Sequence, residues 1–242
     1  MCVNFDIIVK YIFKLGIVCL VGTVLFACSG SSNDEYYTGR VRIAHINPEI
    51  ANLDIMLNDS DERIELTYGE VTDYMRYDEG SINFRVTRKG SPIPLISSTI
   101  RVDADEYSTV FITGTVKEAD FVQDADSQIE STTGIAKIRF AAMYDVTNIN
   151  KEDYDLYLLN PGSNINLMNP AVERIDFQDV TSYYEVDTGV VQVVLTKTET
   201  KEIVYDSGFV NLDDQKVYTF VLMERIGGGL PLEGMLINDA EL

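Results

Sequence analysis

Ser81-Ile-Asn-Phe-Arg-Val-Thr-Arg88 is the stretch that decides the fold. Ile82, Phe84 and Val86 take one side and Asn83, Arg85 and Thr87 the other, the two-residue period of a strand with one buried face. Downstream, Tyr107-Ser-Thr-Val-Phe-Ile-Thr113 and Val217-Tyr-Thr-Phe-Val-Leu222 are β-branched or aromatic almost throughout, as central strands are. Upstream and between them, short apolar runs alternate with turn residues, and no amphipathic helix of useful length follows residue 28. Many short strands with punctuating turns predict an all-β protein: two tandem immunoglobulin-like antiparallel β-sandwich domains after a signal peptide.

The expectation of two domains comes from self-similarity. Val41-Arg-Ile-Ala44 is echoed by Ile138-Arg-Phe-Ala141, and Leu53-Asp-Ile-Met-Leu57 by Tyr154-Asp-Leu-Tyr-Leu158. Tyr68-Gly-Glu-Val-Thr-Asp-Tyr74 matches Phe177-Gln-Asp-Val-Thr-Ser-Tyr183, and Glu79-Gly80 matches Thr188-Gly189. Tyr107-Ser-Thr-Val-Phe pairs with Tyr218-Thr-Phe-Val-Leu, and Phe121-Val-Gln-Asp-Ala125 with Leu236-Ile-Asn-Asp-Ala240. The blocks keep their order at offsets of roughly 97 to 115 residues, which predicts a duplicated domain with insertions in the loops of the second copy. The expected division is a signal peptide over 1–27, a tether over 28–37, a first sandwich over 38–127, a linker over 128–133 and a second sandwich over 134–242.

At the N-terminus, Lys10 and Lys14 precede an apolar run that ends Leu25-Phe26-Ala27-Cys28. From Leu15 to Ala27 there are 13 residues, short of the ~20 that span a bilayer as a helix, so the run suits the apolar region of a secretion signal. Its end resembles the lipobox of bacterial lipoproteins, which implies diacylation of Cys28 and sorting, with Ser29 next, to an outer membrane. Cys2 and Cys19 then leave with the signal and Cys28 carries lipid, so the folded part has no usable thiol.

Charge sets further exclusions. The chain carries 19 Lys+Arg against 39 Asp+Glu, and removal of residues 1–27 changes the balance to 17 against 38. Such acidity excludes sequence-independent nucleic-acid binding, which needs a basic face to displace counterions. One His, three scattered Cys and no Trp leave little for a zinc site, a thiol redox pair or a His-based triad.

Val41-Arg-Ile-Ala-His45-Ile-Asn-Pro48, Asp54, Tyr68-Gly-Glu-Val-Thr-Asp-Tyr74, Gly80 and Tyr107-Ser-Thr-Val110 together resemble the bacterial family called domain of unknown function 4397. The ending Pro231-Leu-Glu-Gly-Met-Leu-Ile-Asn-Asp239 is likewise similar, so the resemblance covers residues 38–242 as two tandem copies. It implies a fold and a cell-surface habit, and no chemistry. The second copy departs where Ala142-Met143 replaces the His-Ala pair.

Candidate sites are few. His45 shares a strand face with Val41 and Ile43, which points it inward as a structural histidine bonded near Asn47 or Asp54. Gly227-Gly-Gly229 is followed by no Lys-Ser/Thr and reads as a loop. Asp59, Asp61, Asp103, Asp105, Asp213 and Asp214 read as solvated acidic loops. Asp124, Asp126 and Glu130 have alternate-residue spacing running into the expected linker and are the weak calcium candidates. Tyr68, Tyr74, Tyr107, Tyr183 and Tyr218 fall at repeat positions and suit core or corner roles, whereas Tyr36-Tyr37 and Tyr183-Tyr184 read as exposed pairs. These readings converge on an exported envelope protein without catalysis or cofactor, anchored in a membrane at Cys28, its partner an envelope protein or a glycan. The rival is a carbohydrate-binding or adhesion protein; a carboxylate-dependent hydrolase is the third reading.

Overall fold

The computed structural model describes residues 37–58, 60, 62–128, 131–144 and 153–240; Cys28, Tyr36, Asp59, Asp61 and Glu130 lie outside them. The first half runs β1 (Thr38–His45), β2 (Asn52–Leu57), β3 (Ile64–Thr67), β4 (Met75–Asp78), β5 (Gly80–Arg88), β6 (Pro94–Val102), β7 (Tyr107–Gly114) and β8 (Ala119–Asp126). The second runs β9 (Ile135–Ala142), β10 (Tyr154–Leu159), a 3₁₀ turn (Ile165–Leu167), β11 (Tyr184–Asp187), β12 (Gly189–Lys197), β13 (Ile203–Asp206), β14 (Val210–Leu212), β15 (Val217–Glu224) and β16 (Leu232–Asn238).

Each half is a β-sandwich of two four-stranded sheets. In the first, β3-β2-β5-β6 packs on β4-β1-β7-β8; in the second, β10-β12-β13, with β14 also on β12, packs on β11-β9-β15-β16. The sheets are not wholly antiparallel. β1 pairs in parallel with β7, and β9 with β15, because the strands between them return through the opposite sheet.

Alternation explains what each strand buries. Ile82, Phe84 and Val86 of β5 enter the first core with Val41 and Ile43 of β1 and Val110 and Ile112 of β7. Phe140, Phe220, Leu222 and Val193 build the second. The opposite faces of β1 and β7 are also buried, since Ala44 and Phe111 meet Ala141, Met143, Val221, Met223 and Ile237 in a third apolar layer. The two central sheets therefore pack on each other, and Tyr36–Leu242 forms one compact unit. This is why Tyr107–Thr113 and Val217–Leu222 carry apolar or β-branched residues on both faces.

Pairing register corrects two repeat matches. Thr109 lies opposite Arg42 and Thr219 opposite Arg139, so Thr109 and Thr219 are equivalent and Tyr107 corresponds to Val217, not to Tyr218. Likewise Asp124 stands opposite Thr109 and Ile237 opposite Thr219, which makes Asp126, not Asp124, the counterpart of Asp239. Short β-branched segments align equally well one or two residues out of step, and only hydrogen-bonded register separates the choices.

The far ends of β1, β7, β9 and β15 lie together. Gly227 N–H donates to the Pro48 carbonyl at 2.7 Å, Thr113 Oγ1 to the Met143 carbonyl at 3.3 Å, and the Tyr68 hydroxyl to the Glu224 carbonyl. Gly227–Gly229 belongs to the loop joining β15 to β16, and the Gly229 N–H donates to the Glu224 carboxylate.

Candidate functional site

The most concentrated chemistry lies between the halves. Arg42 on β1 and Arg139 on β9 project from the faces that meet, where both guanidiniums are almost wholly buried. Arg42 Nε donates to Thr109 Oγ1 at 2.7 Å, and its Nη2 to Asp239 of the other half. Arg139 repeats the pattern: Nε donates to Thr219 Oγ1 at 2.8 Å, and Nη2 to Asp126 of the first half. Each carboxylate receives hydroxyls from its own half. Asp126 accepts from Thr109 at 2.6 Å and Tyr74 at 2.7 Å; Asp239 accepts from Thr219 at 2.6 Å and Tyr183 at 2.8 Å. The rings of Tyr74 and Tyr183 lie under the guanidiniums, 4.7 and 4.8 Å from them. Each half thus supplies one Arg, Thr, Tyr and Asp, and each Arg reaches the other half's Asp. That is the pattern of an isologous interface, drawn within one chain.

Burial makes these pairs consequential. The side chains of Asp126 and Asp239 have no exposure and those of Arg42 and Arg139 have 4% and 1%, so counter-ions from solvent substitute poorly for the paired groups. Burial alone would lower the Arg42 and Arg139 pKa values, but the Asp126 and Asp239 carboxylates outweigh it and hold both above the ordinary range. Burial raises the Asp239 carboxyl, against the opposing pull of Arg42 and Arg139. It also raises the Tyr74 and Tyr183 hydroxyls, with nearby carboxylates adding to the shift, so both remain protonated donors.

Beside the pairs, a cleft of about 580 Å³ opens along the junction, lined by Arg42, Thr72, Asp73, Tyr74, Ile237 and Asn238 among others. Thr72 Oγ1 accepts the Ile43 N–H at 3.0 Å, as Thr181 Oγ1 accepts that of Phe140.

The sequence-predicted residues fall as follows. Asp124 and Asp126 lie in strand β8, the last of the first half, and the two-residue period sets both against Arg139, Asp124 at 2.6 Å. Their charge is answered by a guanidinium, and among the described residues no group of three or more His, Cys, Asp or Glu could hold a metal ion. His45 is fully buried; its Nδ1 faces the Asn47 N–H at 3.4 Å and its ring meets Tyr68 edge-on. Burial lowers its pKa to about 4, so the ring is neutral at physiological pH. Asp54, expected near it, instead accepts from Gly90 N–H at 2.9 Å, and Asp155 accepts from Thr198 at 2.8 Å, each bracing a neighbouring hairpin. Tyr183 and Tyr184 are not an exposed pair. Tyr183 belongs to the buried network, and Tyr184 packs on the second core with its hydroxyl on the Ala171 carbonyl. Tyr37 is half exposed.

Arg42 and Arg139 stand in matching blocks of the sequence, and their role emerges only in the structure. The signal was present: an arginine in an otherwise apolar strand needs a carboxylate, and each half ends with an aspartate.

Residues 39–150 match the family model "Domain of unknown function (DUF4397)". The match is a single copy that takes in the first half and the opening strand of the second. No curated protein matches the chain. Among solved structures, CBMbc (family CBM26) of Eubacterium rectale Amy13K, in complex with maltoheptaose, aligns at 7% identity and TM-score 0.26, covering 84% of this chain and 98% of that one. A fimbrial assembly protein from Parabacteroides distasonis aligns at 10% identity and TM-score 0.23, covering 85% and 97%.

Proposed function

We propose that this is an exported envelope protein, anchored in an outer membrane by acylation of Cys28, whose two sandwiches form one stiff, non-catalytic body that serves as a structural or binding module. On this reading the second half is a diverged copy of the matched domain, as the equivalent Arg, Thr, Tyr and Asp positions support. The observation that carries the reading is the burial of both Arg–Asp pairs between the halves. A hinge at this junction would strip two guanidiniums of their carboxylates, so the halves move together. A buried neutral His45 and carboxylates committed to guanidiniums support a role without catalysis. The cleft along the junction favours the second reading, a carbohydrate-binding or adhesion protein, as the specific form of the module.

Palmitate labelling and fractionation test the anchor. The wild-type chain should incorporate label and sediment with membranes, and Cys28→Ser should lose both properties. Label retained by Cys28→Ser would refute it.

A further inference from the structure

The near two-fold relation between the halves fails at one position, and the cleft lies where it fails. Arg139 Nη1 donates twice, to Asp124 Oδ2 at 2.6 Å and to the Ala125 carbonyl at 2.7 Å. Among the described residues Arg42 Nη1 donates once, to the Asn238 carbonyl at 2.9 Å, the equivalent of the Ala125 bond. The counterpart of Asp124 is Ile237, whose hydrocarbon side chain offers no acceptor. Arg42 thus has one Nη1 proton whose carboxylate has been replaced by a hydrocarbon, and both residues line the cleft.

We propose that this cleft binds a neutral carbohydrate, one of whose oxygens takes from Arg42 the hydrogen bond that Asp124 takes from Arg139. The inference rests on the binding-module reading above and names its ligand class. Asp124 shows that an oxygen acceptor fits against a buried guanidinium in this setting. Charge decides what kind of oxygen. Arg42 and Arg139 already face Asp124, Asp126 and Asp239, three carboxylates to two guanidiniums. Asp73 adds an exposed negative charge at the cleft, on a chain of formal charge −20. A ligand carboxylate would meet that field at short range and low dielectric; a hydroxyl oxygen would not. Asp73 offers acceptors and Arg42 a donor, and a sugar ring, whose hydroxyls both donate and accept, satisfies the two together. Val71, Ile237 and Ala240 give the apolar wall for the ring's C–H face, and the volume suits a small ligand.

The test is an array of neutral and uronate-bearing oligosaccharides probed with residues 28–242, followed by calorimetric titration of each neutral hit. Ile237→Asp gives Arg42 the internal carboxylate that Arg139 already has, Asp73→Ala removes the acceptor at the cleft, and Asp124→Ala on the other side is the control. A neutral oligosaccharide should bind wild type and Asp124→Ala alike and lose roughly tenfold or more in affinity to each cleft variant. Ile237 is buried, so if Ile237→Asp fails to fold, the exposed Asp73→Ala decides. Neutral hits untouched by Asp73→Ala and Ile237→Asp would overturn the site and leave the binding-module reading standing. Binding confined to uronates would overturn the neutral-ligand assignment. No glycan binding at all would overturn the inference, while the stiffness of the module is judged separately by its unfolding.

Discussion

Replacing Arg139 by methionine removes the most heavily committed side chain of the junction. The guanidinium is 1% exposed and donates to Thr219, Asp124, Ala125 and Asp126. Methionine approximates its volume, so the loss is electrostatic rather than a cavity. Breaking a buried pair in this way costs about 3–5 kcal/mol, because the remaining carboxylate stays buried and uncompensated. Asp126 keeps the Thr109 and Tyr74 hydroxyls and has Arg42 at 3.7 Å, which places the loss near the lower figure, about 3 kcal/mol. For a unit of this size that is a fall of roughly 6–12 °C in Tm. Differential scanning calorimetry of wild type, Arg139→Met and Arg101→Met measures it. Arg101 pairs with Asp103 at the surface, where solvent screens the interaction, and its replacement should leave the midpoint almost unchanged. A midpoint shift for Arg139→Met no larger than that for Arg101→Met would refute the reasoning.

Three further outcomes follow from other parts of the molecule. His45 titrates near pH 4 when folded and near 6.5 when unfolded, so between these values the unfolded chain binds more protons. The stability it contributes is present above pH ~6.5 and declines as pH falls toward 4, by about 3 kcal/mol in all; urea titrations across this range should show a steeper decline for wild type than for His45→Gln. Gly234→Ala would drive a methyl into Tyr205 and the Phe220 ring of the second core, and a loss of about 1–3 kcal/mol in urea unfolding is expected. Gly39→Ala meets the Asp103 carbonyl, a backbone atom with little room to yield, and should destabilise at least as much by the same measurement.

The fold was legible in the sequence because strand period and turn punctuation are local properties. Ser81–Arg88 alternates in sequence and its even-numbered apolar residues are buried in the structure. The blocks Val41–Ala44 and Ile138–Ala141 likewise occupy the same place, at the centre of the two middle sheets. The junction between the halves was not legible, because it depends on which outer faces meet. Nothing local in Val41–Ala44 gives Arg42 a partner until the second half is known to cover that face. Asp126 reads as the solvated approach to a linker until β8 is seen to end on it, and Tyr183 reads as exposed until Arg139 lies over its ring. Register was equally hidden: Tyr107 and Tyr218 match by residue type, but hydrogen bonding places Val217 in the position of Tyr107. The asymmetry between Asp124 and Ile237 becomes visible only after that correction.

The most direct measurement is the cooperativity of unfolding of the folded part, by calorimetry with residue-level hydrogen exchange. If the buried Arg–Asp pairs join the halves into one body, heat unfolding should give a single transition with equal calorimetric and van't Hoff enthalpies. The slowest amides of β1 and β9 should then open with one common free energy. Two separable transitions, or a half that opens globally while the other stays protected, would contradict it.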